Sequence, residues 1–388
     1  MKILFVHNFY QHAGGEDQVL KAEMDLMKSH GHHVESYTVH NDQIQSKWDK
    51  IKIAWRLPYS PSSYVRFTEL LKQMKPDVVH CHNFFPRLTP SIFDACKDLK
   101  IATVLTLHNY RLICPSATLM RHGKPWELSI EKSPYWTVPY KVYRNSLLGT
   151  AALARMIQSN RKKGTWTTKL DRIITLTHFA KNKFISAGFS PNNLVVKPNF
   201  IQDPIDSSIQ RKNYAVFIGR LSSEKGVEFL LNFWPENGIE LKIIGSGPLF
   251  DSLPKNRKNV SIMGPKPNDH VINEIQGAQF MVMASQWYEG FPMVLVEALA
   301  CGTPALVTKL GGMAEIIDHE QNGLHFELGN KSDFIDCVNR LSSEPEWCKT
   351  LGENGRKKYE SLYTPEKNYQ QLNQIYLEAI QLSNHQNI

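Results

Sequence analysis

The sequence predicts an α/β protein made of two domains, each with a doubly wound parallel sheet of the Rossmann type. Short apolar strand signals alternate with helical signals, and strands separated by helices form parallel sheets. A length of 388 residues exceeds one ordinary core and suits two domains. Charge divides the chain as well, since residues 1–199 hold 28 Lys or Arg against 14 Asp or Glu, whereas residues 200–388 hold 17 against 23.

The first half opens with a strand signal from Lys2 to His7, followed by a Gly-Gly turn and a helical pattern. Gly14 and Gly15 occupy that turn. A strand, a glycine turn and a helix form a phosphate-binding arrangement, because the backbone can approach closely and the helix N-terminus supplies N–H donors. Tight turns also use glycine for steric reasons alone, so both interpretations stay open here.

Two further strand signals, at residues 77–82 and 101–108, end in histidines. Ligands of parallel sheets gather at the carboxyl ends of the strands, so His7, His82 and His108 are predicted to face one crevice. Three histidines invite a zinc interpretation. No flanking acidic residue gives a known zinc-ligand spacing, however, and we predict no metal site.

Residues 116–170 form an atypical segment rich in aromatic and basic side chains. Residues 121–172 hold 11 basic and 3 acidic side chains, and Tyr135, Trp136, Tyr140 and Trp166 interleave with them. At a membrane surface, aromatic rings lie at headgroup depth and basic side chains bind anionic lipid, so this composition favours a membrane interface. A solvated helical insert is the alternative, and no nucleic-acid-binding motif is present.

The most informative stretch runs from residue 278 to residue 304. A strand signal at 278–284 leads into a loop carrying Glu289, and a short helix carrying Glu297 follows and ends near Gly302. Backbone N–H groups at 290–293 point out of the helix N-terminus beside a carboxylate. This mixture of donors and acceptors suits a polyhydroxylated ligand. The alternative is that Glu289 caps a turn and Glu297 is merely solvated.

The second half opens with a strand near 214–218 and a loop that places two cations, Arg220 and Lys225, before a helix. Two fixed cations beside a helix N-terminus suit a diphosphate, although either alone would pass for surface charge. A second strand, 241–244, ends in the glycine turn of Gly245 and Gly247. A final helix is predicted over residues 366–382.

Several motifs together resemble one enzyme family. Glu289-Gly-Phe-Pro292, Leu295-Val-Glu-Ala298 and Cys301-Gly-Thr-Pro304 resemble the signature of the family four retaining glycosyltransferases, which have the GT-B fold of two Rossmann-like domains facing across a crevice. The resemblance implies an acceptor- and membrane-facing domain at 1–200, a nucleotide-sugar domain at 201–365, and a last helix, 366–388, packed back on the first. Asn109 follows His108 where many members carry Asp. The resemblance implies catalytic roles for His108, Arg220, Lys225 and Glu289, and donor-binding roles for Gly14, Gly15, Gly219, Gly245, Gly247, Gly290, Phe291, Pro292 and Glu297.

The expected activity is therefore retaining, metal-independent transfer of a sugar from a nucleotide diphosphate sugar, with UDP favoured over GDP, and without a cofactor. The expected acceptor is a glycan, lipid-linked, in the synthesis of lipopolysaccharide, O-antigen or capsule. The alternatives are an epimerase of the same fold and a non-catalytic nucleotide-sugar-binding subunit. We expect a cytoplasmic protein that is peripheral on the inner face of the membrane. The sequence shows no signal peptide, no run of ~18 apolar residues and no Cys-x-x-Cys pair.

Overall fold

The structure is a computed structural model that describes residues 1–10, 14–41, 46–206, 208–254 and 256–385. The chain divides into two compact units. Unit 1 comprises Met1–Arg121, Trp126–Pro198 and Asn368–Ile388, and unit 2 comprises His122–Pro125 and Asn199–Lys367.

Strands and helices alternate within the described residues. The strands are β1 (Lys2–Phe9), β2 (His33–His40), β3 (Val78–Asn83), β4 (Ala102–Leu107), β5 (Met120–Arg121), β6 (Lys124–Pro125), β7 (Arg172–Thr175), β8 (Leu194–Val196), β9 (Tyr214–Ile218), β10 (Glu240–Ile244), β11 (Val260–Gly264), β12 (Phe280–Met283), β13 (Ala305–Thr308) and β14 (Gly323–Phe326). The helices are α1 (Gly15–Ser29), α2 (Lys47–Arg56), α3 (Pro61–Met74), α4 (Ser91–Asp98), α5 (Leu128–Glu131), α6 (Leu147–Lys162), α7 (Thr165–Thr168), α8 (His178–Ser186), α9 (Val227–Phe233), α10 (Asn268–Gly277), α11 (Met293–Ala300), α12 (Met313–Ile316), α13 (Lys331–Ser343), α14 (Pro345–Leu362) and α15 (Pro365–His385).

Unit 1 contains a parallel sheet with the strand order β2-β1-β3-β4-β7-β8. The first strand lies inside the sheet, so the order reverses between β1 and β3. Crevices form at such a reversal, outside the carboxyl ends of the strands. Residues that end β1, β3 and β4 are therefore the ones placed to meet a ligand of this unit.

Unit 2 contains a second parallel sheet with the order β11-β10-β9-β12-β13-β14. Its strand order is that of the dinucleotide-binding Rossmann fold, with the reversal between β9 and β12. Alternate residues of β9 enter different cores, since Ala215 and Phe217 pack in one cluster and Tyr214 and Val216 in another. Both faces of the sheet are thus covered, as parallel sheets require.

The last helix belongs to the core of unit 1. Leu372, Tyr376 and Ala379 of α15 are fully buried in the cluster that contains Ile3 and Phe5 of β1. The Tyr376 hydroxyl lies 2.7 Å from Nδ1 of His80. Helix α15 is therefore an integral layer of unit 1, although it is the last element in the sequence.

The atypical segment at 116–170 is partly core and partly surface. Helix α6, capped by the Ser146 hydroxyl, buries Leu153, Met156 and Ile157. Trp166 is buried as well, and its ring lies near those of Phe84, Phe93 and Phe189. The prediction of an interfacial role is wrong for Trp166, because aromatic packing holds its ring inside the unit. Tyr135, Trp136 and Tyr140 are exposed.

Among the helices in the described ranges, none combines the length and apolar character that a membrane crossing requires. All six cysteines are free and buried.

Candidate functional site

Two loops meet at the strand reversal of unit 2. The loop after β9 carries residues 219–225, and the loop after β12 carries residues 285–292. The Gln286 N–H donates to the Glu224 carbonyl at 2.8 Å and ties the loops together. This contact brings the two predicted groups of site residues into one place, although 64 positions separate Lys225 from Glu289.

Lys225 and Glu289 form an ion pair in this structure. Nζ of Lys225 lies 2.6 Å from Oε1 of Glu289, and the Ser285 hydroxyl donates to the same oxygen at 2.7 Å. The Lys225 ammonium also lies 5.4 Å from the centre of the Trp287 ring. Glu289 is only 7% exposed, so its charge depends on these two donors. The sequence predicted separate partners for the two residues, and their mutual pairing is a new observation.

Arg220 and Glu297 differ from this pair because neither forms an ion pair within the described residues. The Arg220 side chain is exposed near the start of the loop after β9. Glu297 is half-buried on α11, and burial raises the pKa of its carboxyl to about 7. Because neither the Arg220 guanidinium nor the Glu297 carboxyl forms an ion pair within the described residues, both groups are available to a ligand.

Close backbone packing requires glycine at Gly245 and Gly247 after β10 and at Gly226, which follows the loop after β9. A Cβ on Gly245 would overlap the Gly219 carbonyl oxygen, and a Cβ on Gly247 would overlap the Leu221 backbone. The φ angles of Gly219 and Gly245 are +156° and +147°. Gly226 has a φ angle of +73°, and a Cβ there would overlap the Ala284 carbonyl oxygen. The two turns therefore stack backbone on backbone, an arrangement that side chains at these positions would prevent.

The three residues before α11 lie where the helix starts. Pro292 is the N-cap residue, and α11 begins at Met293. Phe291 is half-buried with its ring edge-on to Tyr363 at 6.0 Å. Gly290 directly precedes it and follows Glu289.

In unit 1, a buried polar chain runs from the helix α1 to the end of β4. Glu23 and Lys197 are both fully buried and are joined at 2.7 Å. The other oxygen of Glu23 lies 3.3 Å from Nε2 of His82, and Nδ1 of His82 lies 3.0 Å from Nε2 of His108. His82 and His108 thus come together as predicted. His7 lies close enough to both for charge interactions and also pairs with Asp17 at 2.8 Å.

The charges of Lys197 and Glu23 favour one arrangement of the protons on His82 and His108. Burial alone would raise the pKa of Glu23, but Lys197 and His82 hold it well below its usual range. The carboxylate favours the His82 tautomer that carries its proton on Nε2, and in that tautomer Nδ1 of His82 accepts a proton from Nε2 of His108. Burial, together with His82, holds the pKa of His108 well below its usual range. His108 is accordingly neutral, with Nδ1 as its acceptor, and it lines a cavity with Tyr10, Asn109 and Arg111.

Among the residues that the structure describes, two groups of side chains have donor atoms close enough together for a metal ion. The first is Glu23, His80 and His82, and the second is His7, Glu16 and Asp17. In the first group, the Lys197 ammonium already neutralises Glu23, and both nitrogens of His80 contact hydroxyls of Tyr376 and Thr106. This donor set therefore fits its protein partners and does not call for an ion.

Gly14 and Gly15 lie at the N-terminus of α1, as the sequence predicts. A Cβ on either would meet nothing within 4 Å, so packing does not require glycine there. The Gly14 N–H donates to the Asp17 carboxylate at 2.9 Å, which means that a side-chain anion already occupies one donor of this terminus. Next to it, burial and then Asp17 raise the pKa of Glu16 to about 8.

Sequence reasoning missed Glu23 and Lys197. Glu23 could have been found, because Val19, Leu20, Leu26 and Met27 have the helical spacing of a buried face and position 23 lies on it. A charged residue on such a face needs a buried partner. Lys197 follows the apolar strand β8 directly, and the sequence offers no signal that would pair it with a helix 174 positions away.

Two family models match the chain. The model described as glycosyl transferases group 1 matches residues 201–358, and the model described as glycosyltransferase family 4 matches residues 13–203. The two matches adjoin and leave only the chain ends uncovered. The chain belongs to the family four, group 1 glycosyltransferases.

Among the curated relatives, an uncharacterised glycosyltransferase of Methanocaldococcus jannaschii is 30% identical over 233 residues, which cover 58% of this chain and 65% of that protein. An uncharacterised 42.6 kDa protein from the cps region of Klebsiella pneumoniae is 24% identical over 358 residues, covering 81% of this chain and 87% of that protein. The match thus spans just under two thirds of the first relative's length.

Three solved structures share the fold over nearly the whole chain. Sucrose-phosphate synthase from Thermosynechococcus elongatus has a TM-score of 0.69 at 16% identity, covering 97% of this chain and 98% of that one. HepE of Anabaena in complex with UDP has a TM-score of 0.65 at 17% identity, covering 96% of this chain and 99% of that one. The apo lipopolysaccharide outer core galactosyltransferase WaaB scores 0.65 at 18% identity and is covered completely, as is this chain. The predicted GT-B fold is confirmed.

Proposed function

We propose that this protein is a retaining glycosyltransferase that moves a sugar from a nucleotide diphosphate sugar to a hydroxyl of a glycan. The bond between the anomeric carbon and the donor phosphate oxygen breaks, and a bond from that carbon to the acceptor oxygen forms on the same face. The acceptor proton passes to the leaving phosphate. The nucleotide diphosphate and a glycan longer by one sugar are the products.

The arrangement at the strand reversal of unit 2 carries this proposal. Arg220 and Lys225 provide cations for the diphosphate, and Glu297 provides an acceptor for the ribose hydroxyls. Glu289 provides an acceptor for hydroxyls of the donor sugar. Charged groups fixed before the reaction stabilise a leaving anion effectively, because they need little reorganisation.

In unit 1, the neutral His108 is our candidate for a contact with a hydroxyl of the reacting sugar. Its Nδ1 is an acceptor, and a sugar hydroxyl is a matching donor. Gly14 and Gly15 leave open space at the start of α1, which supports an approach of the donor diphosphate or of the acceptor.

UDP is the proposed carrier, in preference to GDP, because a protein of the same fold, HepE, is known in complex with UDP. The proposed acceptor is a lipid-linked glycan of a cell-surface polysaccharide. The cps-region relative and the lipopolysaccharide galactosyltransferase support this class of acceptor. We further propose that the protein acts on the cytoplasmic face of an anionic membrane, which the excess of basic residues in positions 1–199 supports.

A direct test combines donor screening with product analysis. Purified protein is incubated with UDP- and GDP-sugars and a lipid-linked glycan fraction, and proton NMR reports the anomeric configuration of the product. We expect transfer from a UDP-sugar with retained configuration, abolished by Glu289→Gln and unaffected by the control Glu274→Gln. Inverted product would overturn the retaining mechanism. Nucleotide release with an epimerised sugar and no acceptor would identify an epimerase, and UDP binding without turnover under all conditions would identify a binding subunit.

A further inference from the structure

Helix α2 turns an aromatic face toward solvent. Trp48, Ile51 and Trp55 are 79%, 59% and 74% exposed, and Lys52 and Arg56 are exposed too. These five positions follow the spacing i, i+3, i+4, i+7 and i+8, which places them on one face of a helix. An ordinary surface helix buries such an apolar face in the core. In α2, it points outward.

The helix is nevertheless anchored to unit 1. Ser46 caps its N-terminus by accepting the Asp49 N–H, and Leu57 is buried just beyond its last residue. The Arg155 guanidinium of α6 lies 4.7 Å from the centre of the Trp55 ring and donates to the Trp55 carbonyl. The exposed face therefore belongs to a capped helix that packs on its neighbour.

Other exposed side chains of unit 1 have the same character. Of the twelve exposed large apolar side chains of the described residues, nine lie between positions 48 and 148 of the sequence. Leu147 and Leu148, at the start of α6, are among them, and the Lys132 ammonium lies 4.8 Å from the centre of the exposed Trp136 ring. The mixture is aromatic, aliphatic and cationic.

This chemistry selects among possible partners. Tryptophan rings prefer the headgroup region of a bilayer, and lysine and arginine beside them meet anionic lipid. A second copy of the chain would bring Lys52 and Arg56 against the same cations, which repel. Nucleic acid would use the cations and the rings, but it offers no hydrocarbon for Ile51, Leu147 and Leu148.

We propose that α2 is an interfacial helix, which places Trp48, Ile51 and Trp55 at the headgroup level of an anionic membrane while Lys52 and Arg56 bind lipid phosphates. The inference rests on the membrane association proposed above and assigns it to one element. Amphipathic helices that lie in the interface in this way bind through apolar burial and through charge.

The test uses the full-length protein and vesicles of phosphatidylcholine with and without phosphatidylglycerol. Wild type should bind the anionic vesicles and be released by salt. Trp48→Ser/Trp55→Ser and Lys52→Glu/Arg56→Glu should each weaken binding by about tenfold or more. The controls, Leu362→Ser/Leu377→Ser and Lys349→Glu/Lys367→Glu, remove exposed apolar and cationic groups from α14 and α15 and should bind like wild type. Quenching of tryptophan emission by brominated lipid should fall in the tryptophan variant.

Other outcomes overturn the inference in distinguishable ways. Equal vesicle binding by wild type and both α2 variants would mean that another surface docks on the membrane. A dimer in sedimentation that the tryptophan variant abolishes would assign the face to a second copy, and tighter binding to single-stranded RNA than to vesicles would assign it to nucleic acid. Sugar transfer to a water-soluble acceptor, measured on the same samples, reports separately on the proposed activity, which the α2 variants should leave unchanged.

Discussion

Lys225 and Glu289 neutralise each other in this structure, although the proposed reaction requires each of them to bind a different part of the donor. Binding of a diphosphate would supply Lys225 with a second anion. Glu289 would then share its carboxylate between the ammonium, Ser285 and a sugar hydroxyl. The ion pair therefore serves to hold both groups in place before the donor arrives, as preorganised sites require.

A double-mutant comparison tests this coupling. Lys225→Met should cost about 2 kcal/mol of unfolding free energy, because Glu289 loses the counterion of a largely buried charge. It should also lower the affinity for UDP strongly. Lys225→Met/Glu289→Leu should recover stability without recovering UDP affinity. Urea unfolding and calorimetric titration with UDP measure the two effects.

The pair of Lys242 with Glu274 is a matched control within unit 2. Nζ of Lys242 lies 2.8 Å from the Glu274 carboxylate, and the two side chains are 21% and 14% exposed. In the pair of Lys225 and Glu289, the distance is 2.6 Å and the side chains are 20% and 9% exposed. Lys242→Met should reduce stability similarly and leave UDP affinity intact. Equal losses of UDP affinity in both lysine variants would show that the effect comes from the unit's stability and not from its site.

Glu297 should make stability depend on pH in a definite direction. Burial raises the pKa of its carboxyl from 4.5 to about 7. Between these values the unfolded chain has lost the proton that the folded protein still holds, so this residue's contribution to stability falls as pH rises from about 4.5 to about 7. In Glu297→Gln, that part of the decline should be absent. Melting temperatures of both proteins from pH 4 to pH 8 measure it, and parallel curves would contradict it.

The same residue links pH to ligand binding. An ionised Glu297 can accept two ribose hydroxyls, whereas a protonated one accepts less well, so we expect UDP affinity to fall below about pH 7. The titration of UDP itself contributes to this curve but is common to wild type and Glu297→Gln. The difference between the two proteins therefore isolates the carboxyl.

At the scale of elements, the loops after β9 and β10 depend on glycine for close approach. Gly245→Ala should lower the stability of unit 2 and its affinity for UDP, since the new Cβ would overlap the Gly219 carbonyl oxygen and the φ of +147° disfavours alanine. Gly329→Ala is the control, because Gly329 has a φ of +76° in open space. Its cost should be limited to the backbone strain of about 1 to 2 kcal/mol. Similar unfolding free energies for the two variants would show that the close approach is unimportant.

Elements differ in how far the sequence determines them. Helix α11, with Glu297, was predictable, because an apolar helical pattern between Pro292 and Gly302 leaves little choice. Helix α2 has apolar residues at helical spacing, and only the structure shows that Trp48, Ile51 and Trp55 are exposed. Periodicity identifies a face but not the neighbour that covers it.

Polar partners far apart in the chain were the part that could not be predicted. The contacts of Lys225 with Glu289, Lys197 with Glu23 and His80 with Tyr376 join residues 64, 174 and 296 positions apart. Strand order and the return of α15 to unit 1 decide these pairs. The convergence of His82 and His108 was predictable, by contrast, because both residues end neighbouring parallel strands.

At the scale of the whole molecule, the proposed reaction must neutralise the charge that develops on the leaving nucleotide diphosphate. Transferases that hold a divalent cation for this purpose use an Asp-x-Asp motif, and this sequence contains none. Two cations lie at the strand reversal of unit 2, Arg220 and the paired Lys225, and the glycine turns beside them add backbone N–H donors.

Sugar transfer should therefore persist in EDTA, while Arg220→Ala and Lys225→Ala should each lower kcat by on the order of 10²-fold, as loss of one preorganised charge-stabilising donor does. Lys225→Arg should not restore the rate, because a planar guanidinium cannot replace a compact ammonium among Glu289, Ser285 and Trp287. The control Lys349→Ala removes an exposed cation of the same unit and should keep the wild-type rate. Loss of turnover in EDTA that manganese or magnesium restores would show that a metal ion carries the charge that we assign to Arg220 and Lys225.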